Sequence, residues 1–317
     1  MGMYCFGIDV GGTSVKCGLF LTNGTLVEQW EIPTRLENNG SSILPDVADA
    51  IKTKLDERGI TKDNVDGVGI GIPGPVNENG EVPMAVNLHW GFKAVASELS
   101  ALTGLPAKAA NDANIAALGE AWKGAAEGSK NVILVTLGTG VGGGIVAEGK
   151  LLHGAGGVAG ELGHITVDFD RPFDCTCGKK GCLETVASAT GIVNLTRRYA
   201  DEYAGDATLK RLIDDGEEVT AKTVFDLAKD GDELALIVYR HFSQYLGIAC
   251  ANIASVLNPA NIVIGGGVSA AGQFLLDGVQ KVFDENTFPQ VRTSTQLVLA
   301  NLGNDAGVIG AASLVLQ

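Results

Sequence analysis

His164, Cys175, Cys177 and Cys182 form the densest chemical cluster in the chain, with the spacing H-x10-C-x-C-x4-C. Four soft or borderline ligands gathered this closely suit a closed tetrahedral zinc site. No ligand position is left open for water, so a metal here would be structural and not catalytic. Gly178 and Gly181 let the backbone turn tightly around the ion. The alternative is a set of unrelated thiols, which crowding of this kind argues against. Cys5, Cys17 and Cys250 lie among apolar residues and read as core.

Glycine runs are the second signal. Gly11-Gly12 and the run from Gly138 to Gly144 each follow a short apolar segment. Successive backbone N–H groups in such turns converge on an anion, although a plain tight turn has the same residues. Gly138-Thr139-Gly140-Val141-Gly142-Gly143 matches G-x-G-x-x-G by letter. That motif needs a helix directly after the glycines, and Ile145–Leu151 reads as a strand, which disfavours a dinucleotide. Gly265-Gly266-Gly267 stands after a strand and before a helix, a place for a nucleotide phosphate or ribose. No acidic residue occurs over Gln296–Asn301, where a nicotinamide ribose would want one, so a mononucleotide such as ATP is favoured.

Carboxylates complete the set. Asp112, in Asn111-Asp112-Ala113-Asn114, sits at a strand-to-helix junction, where it serves either as a helix cap or as a catalytic base. Glu161 and Glu184 bracket the metal cluster, as surface acids or as groups aimed by the metal loop.

These residues need elements to hold them. Tyr4–Asp9, Val15–Leu21 and Thr25–Ile32 read as strands, with Asn23-Gly24 as a hairpin signal. A helix carrying Val47, Ala50, Ile51 and Leu55 and the strand Val65–Ile72 follow. The second half opens in the same way: strand Asn131–Leu137, glycine loop Gly138–Gly144, strand Ile145–Leu151. Helices then fill Ser188–Leu257, before strand Asn261–Ile264, a helix around Phe274–Phe283 and a helical tail over Asp305–Leu316. Two halves with one plan point to two similar domains facing a cleft. The expected division is 1–113, completed by a C-terminal helix over 301–317, and 114–300 with the metal loop.

The 317 residues suffice for two cores, and 45% hydrophobic with 19% charged content is globular. A net charge of −14 argues against nucleic-acid and membrane-surface partners. Polar residues interrupt the apolar stretch Leu234–Leu257, so it reads as a buried helix. With no export signal in view, the cysteine usage fits a cytoplasmic protein.

Along essentially its whole length the chain resembles the ROK family of repressors, open reading frames and kinases. The matching residues are Asp9-Val-Gly-Gly-Thr13 with Lys16, Asn111-Asp112-Ala-Asn114, Leu137 through Gly144, Gly160-Glu-Leu-Gly-His164, Cys175 through Glu184, and Gly265-Gly-Gly267. The resemblance implies an α/β, actin-like (ribonuclease H-like) two-domain ATPase fold with sugar and ATP in the interdomain cleft. It implies Asp112 as the base, with Gly74, Asn87, Asn111, Glu161, His164 and Glu184 on the sugar hydroxyls. Asp9 would orient Mg²⁺. Gly11, Gly12, Thr13, Lys16, Gly138, Thr139, Gly140, Gly265, Gly266 and Gly267 would serve ATP. One nitrogen of His164 would face zinc and the other the sugar. Thr176 stands where the family often has Asn, which is not a ligand position. The run Glu184–Gly191 looks like the glucokinase branch, so glucose is the expected sugar, with N-acetylmannosamine as the alternative. A homodimer or homotetramer is expected. Repressor members carry a DNA-binding module ahead of this core; with the first motif at Asp9, a kinase is expected here.

Overall fold

A computed structural model describes residues 2–317. It divides into two compact units. The first holds the residues up to Leu134, Gly144–Gly160 and Asn301–Gln317; the second holds Val135–Gly143 and Glu161–Ala300.

In the first unit, β1 (Tyr4–Val10), β2 (Ser14–Leu21) and β3 (Leu26–Pro33) form an antiparallel meander. A four-residue turn α1 (Glu37–Gly40) and helix α2 (Ile43–Arg58) lead to β4 (Val65–Ile72), which pairs parallel to β1. Helix α3 (Val95–Thr103) precedes β5 (Ala107–Asn111), parallel to β4, and β5 runs straight into α4 (Asp112–Lys123). The strand order is β3-β2-β1-β4-β5. One core gathers Phe6, Ile8, Val15 and Leu19 of the sheet with Leu44, Val47 and Ile51 of α2.

The other sheet face is covered by α12 (Ala306–Leu314). Gly7 and Gly69 make that approach possible, since a Cβ at either would lie 2.0 Å from Val308 O or 1.7 Å from Ala311 O. Helices α4 and α12 touch backbone to backbone: a Cβ at Gly310 would lie 1.6 Å from Ile115 O. This packing ties α4 to the first unit, so the expected division after residue 113 falls too early.

The second sheet joins β6 (Val132–Leu137), β7 (Val141–Ala147), β8 (Lys150–Leu151), β9 (Asn261–Gly265) and β10 (Gln296–Leu299) in the order β10-β9-β6-β7-β8. Read from β8, it repeats the plan of the first sheet, with β7 and β8 antiparallel and β9 and β10 parallel. The internal repeat in the sequence is therefore a repeat of topology. One boundary differs from expectation. The glycine run is a loop only at its start, because Gly142, Gly143 and Gly144 belong to β7. Gly144 has a packing reason: a Cβ there would meet Ala117 Cβ at 2.7 Å.

The helices between β8 and β9 are α5 (Glu184–Ala187), α6 (Ala189–Glu202), α7 (Thr208–Asp214), α8 (Ala221–Lys229) and α9 (Glu233–Leu257). Helices α10 (Gln273–Asn286) and α11 (Pro289–Arg292) lie between β9 and β10. Phe225 of α8 meets Phe242 of α9 edge-on at 5.4 Å, a favourable aromatic geometry. Among the described residues no helix is long and apolar enough to cross a membrane.

Candidate functional site

In the first unit, β5 delivers Asn111 and Asp112 to the start of α4. Asn111 has extended backbone and is the N-cap: its Oδ1 accepts from Ala113 N at 2.9 Å and Asn114 N at 3.4 Å. Its Nδ2 donates to Gly74 O at 3.0 Å, so Gly74, Asn111 and Asp112 come together. Asn87 stands exposed on a separate turn, Val86–Leu88.

Asp112 occupies the first helical position, and its Oδ1 shares the Ala113 N–H at 2.8 Å. Desolvation by surrounding protein raises its carboxyl above the ordinary value, opposed by the Ala113 N–H and the Asn111 side chain. The side chain is nonetheless open to solvent.

Asp9 ends β1 in a tighter place. A Cβ at Gly307, in the first turn of α12, would lie 2.3 Å from its Oδ2. Burial first, and the charge of Asp112 second, push the Asp9 carboxyl up to about 6, against the pull of Lys16. Asp9 is thus a desolvated carboxylate that also feels the negative charge of Asp112. Lys16, opposite Asp9 in the β1–β2 register, is tied to the segment before α12: its Nζ donates to Asn304 O at 2.8 Å and lies 3.7 Å from Asp305.

The turn after β1 separates two kinds of glycine. A Cβ at Gly11 would lie 2.8 Å from Ser14 O, so the fold itself requires Gly11. A Cβ at Gly12 would meet nothing within 4 Å, and Gly12 and Thr13 are exposed. Folding does not need glycine at 12; a ligand approaching the backbone would.

The second unit repeats that contrast. Its turn, Gly138–Gly140, closes with Gly138 N donating to Gly140 O at 2.9 Å. Gly266 is required by the fold, with φ +82° and a Cβ position 2.5 Å from Leu137 O. Gly267 has nothing within 4 Å of its Cβ position, and Gly138 has its nearest neighbour at 4.0 Å. Both line a cavity of about 410 Å³, together with Thr139, Val268, Phe225 and Lys229. Of the run Gly265-Gly266-Gly267, Gly267 is the one that reaches it; Gly265 is buried as the last residue of β9. The contribution of α8, through Phe225 and Lys229, has no sequence signal, because Val224, Phe225 and Ala228 read simply as a buried helix face.

The metal cluster assembles as its spacing suggests. The ligand atoms of His164, Cys175, Cys177 and Cys182 all lie within 4.8 Å of one another, and all three thiols are free of disulfides. Cys177 Sγ and Cys182 Sγ are 3.7 Å apart, and Cys175 Sγ is 3.5 Å from His164 Nδ1. Zinc with bonds of about 2.3 Å to sulfur and about 2.0 Å to nitrogen has tetrahedral edges of about 3.8 and 3.5 Å, so the donor set fits that ion. Gly178 at φ +86° and Gly181 at φ +80° make the turns between ligands. The Nε2 of His164 faces the other way, 3.9 Å from the Glu161 carboxylate. Glu184 lies between this loop and the glycine turn: its Oε2 accepts from Val141 N at 3.1 Å, and its Oε1 is 3.4 Å from Thr176 Oγ1.

Comparison with known proteins decides the family, since the ROK family model matches residues 5–317. The chain belongs to the ROK family. A glucokinase from Halalkalibacterium halodurans is 47% identical over 312 residues, covering 98% of this chain and 94% of that one. The ROK hexokinase of Thermus thermophilus superimposes with a TM-score of 0.82 at 30% identity, over 99% of this chain and 97% of that one. A ROK family glucokinase from Streptomyces griseus, in complex with glucose and AMPPNP, gives 0.70 at 33% identity over 98% of each chain. The two sheets of matching order are thus those of the actin-like ATPase fold of ROK sugar kinases, and the expected fold class holds.

Proposed function

We propose that this ROK kinase transfers the γ-phosphoryl group of ATP to the 6-hydroxyl of glucose. Asp112 carries the proposal: a carboxylate at a helix start whose capping is done by Asn111, open to solvent, with its carboxyl raised above the ordinary value by desolvation. The similarity to glucokinases, one of them complexed with glucose and a nucleotide analogue, supports the choice of substrates.

In this proposal the 6-hydroxyl gives its proton to Asp112 as its oxygen attacks the γ-phosphorus, and the bond to the departing ADP breaks. Gly74, Asn111, Glu161, His164 and Glu184, with Asn87, hold the other hydroxyls. A sugar lacking one of them leaves one of these polar groups unpaired when the sugar covers it, which is how such a site discriminates. The open Cβ positions at Gly12, Gly138 and Gly267 let backbone N–H groups reach the phosphates, with Gly11, Thr13, Thr139 and Gly140 shaping the two turns. The cavity beside Gly138 and Gly267 takes the nucleoside, against Phe225. Asp9 would hold Mg²⁺, which when bound neutralises phosphate charge. The four-ligand cluster would hold zinc, whose part is to keep the loop bearing Glu161 and Glu184 in shape.

The test is a panel of glucose, N-acetylmannosamine, fructose and mannose with ATP, following sugar-dependent ADP release and glucose 6-phosphate. Glucose should give the highest kcat/KM. Faster turnover of N-acetylmannosamine would replace the sugar assignment, and no sugar-dependent ADP release would overturn the kinase.

A further inference from the structure

The turn Gly138–Gly140 is gripped from outside at both ends, and both grips come from the segment that follows the last metal ligand. Ala189 N, at the start of α6, donates to Gly138 O at 2.8 Å. At the other end, Glu184 Oε2 accepts the N–H of Val141 at 3.1 Å. The carboxylate lies against the turn itself: the three heavy atoms nearest a Cβ at Gly140 are all of Glu184, the first being Oε2 at 2.3 Å. Its second oxygen reaches back to the metal loop, 3.4 Å from Thr176 Oγ1 and 3.8 Å from Cys175 Sγ. The backbone of Glu184 is fixed as well, since Ser188 Oγ donates to its carbonyl at 2.7 Å while accepting from Gly191 N at 2.9 Å.

From this geometry we infer that Glu184 is a positioning residue for nucleotide binding, a strut that holds the phosphate turn on the metal-ligand loop. The inference rests on the kinase proposal and adds to it, because a carboxylate with two oxygens has room for a sugar hydroxyl besides these partners. A hydrogen bond to a charged acceptor is stronger than a neutral one, and this one pins an N–H at the edge of the turn that must meet ATP. It follows that emptying the metal site loosens the nucleotide side and not the sugar side alone.

The test is calorimetric titration of ADP with no sugar present, where a role confined to the sugar would be silent. Glu184→Ala should bind ADP roughly tenfold more weakly, the effect of one charge-assisted hydrogen bond. Glu184→Gln keeps an oxygen acceptor for Val141 N but not its charge, and should bind ADP more tightly than Glu184→Ala and more weakly than wild type. Gly140→Ala separates positioning from misfolding. In wild type its methyl collides with the Glu184 carboxylate and should weaken ADP binding; in the Glu184→Ala background that collision is gone, so the added loss should vanish. Chelating the metal should weaken wild-type ADP binding by a factor similar to Glu184→Ala, and change Glu184→Ala itself little. If wild type binds ADP and Glu184→Ala binds it equally well, the positioning role is wrong. If chelation leaves wild-type ADP binding unchanged, the link to the metal loop is wrong. A wild type that does not bind ADP overturns the kinase proposal instead.

Discussion

Asn111 takes the N-cap of α4 and so relieves its neighbour Asp112 of that duty. Asn111 Oδ1 accepts from both Ala113 N and Asn114 N, while Asp112 enters the helix at its first position with its carboxylate open to solvent. The Asn111 amide nitrogen also fastens the junction to Gly74 O. Asn111→Ala should therefore cost about 1 kcal/mol of stability through the lost cap. It should also lower kcat, because Asp112 would become the nearest replacement cap. Thermal melts and kinetics on one preparation check both; a stability loss with unchanged kcat would separate the cap from the chemistry.

Gly12→Val and Gly267→Val should leave the melting temperature close to wild type, because neither Cβ position has a neighbour within 4 Å. Both should raise KM for ATP, since a side chain there stands where phosphates approach the backbone. Sugar binding, measured without nucleotide, should survive. A large drop in melting temperature for either variant would mean that the glycine serves the fold.

Much of this site is legible in the sequence, and what is missing has physical causes. The metal ligands are visible because three thiols and an imidazole at close spacing have few other uses. The repeated strand order shows itself through two glycine turns after apolar strands. The cap at α4 is not legible, because Asn and Asp cap equally well and the choice rests on the backbone angles at Asn111. Phe225 and Lys229 stay hidden because a helix face lining a cavity has the same pattern as one lining a core. The strut from Glu184 to Val141 joins residues far apart in sequence and leaves no periodic trace. The first unit reaches past residue 113 through Gly119 and Gly310, where a Cβ would lie 2.2 Å from Ala306 O and 1.6 Å from Ile115 O, yet in the sequence these helical glycines read only as weak helix formers.

The metal cluster should hold one zinc per chain by elemental analysis. Cys177→Ser should reduce that content and raise KM for sugar, since Glu161 and Glu184 stand on the loop the ion shapes. The rest of the protein should remain folded by circular dichroism, because both sheets have their own buried cores. Wild-type protein free of zinc with full activity would contradict the role of the cluster.

Asp9 predicts a pH signature. Its carboxyl is pushed from 3.8 up to about 6 in the folded chain, so folding favours the protonated form. The cost of carrying the charge is absent below about 3.8, grows between 3.8 and 6, and is complete above 6. Asp9→Asn should thus stabilise the ligand-free protein by about 1–2 kcal/mol at pH 8, less than a fully buried group would give. That gain should shrink as pH falls from 6 toward 4, while activity is lost at every pH. Melts across this range read the slope, and a gain independent of pH would point to another cause.

Asp112→Asn asks whether Asp112 takes the proton from the sugar. Amide replaces carboxylate at nearly constant shape, and general-base catalysis typically contributes roughly 10²–10⁴-fold. The measurement is kcat for glucose 6-phosphate formation from ATP and glucose, beside ADP affinity on the same preparation. A fall in kcat of about 10²–10⁴-fold with ADP affinity unchanged is the expected result. A variant that keeps more than about half of wild-type kcat would rule out Asp112 as the base, because no base worth that little accelerates the transfer.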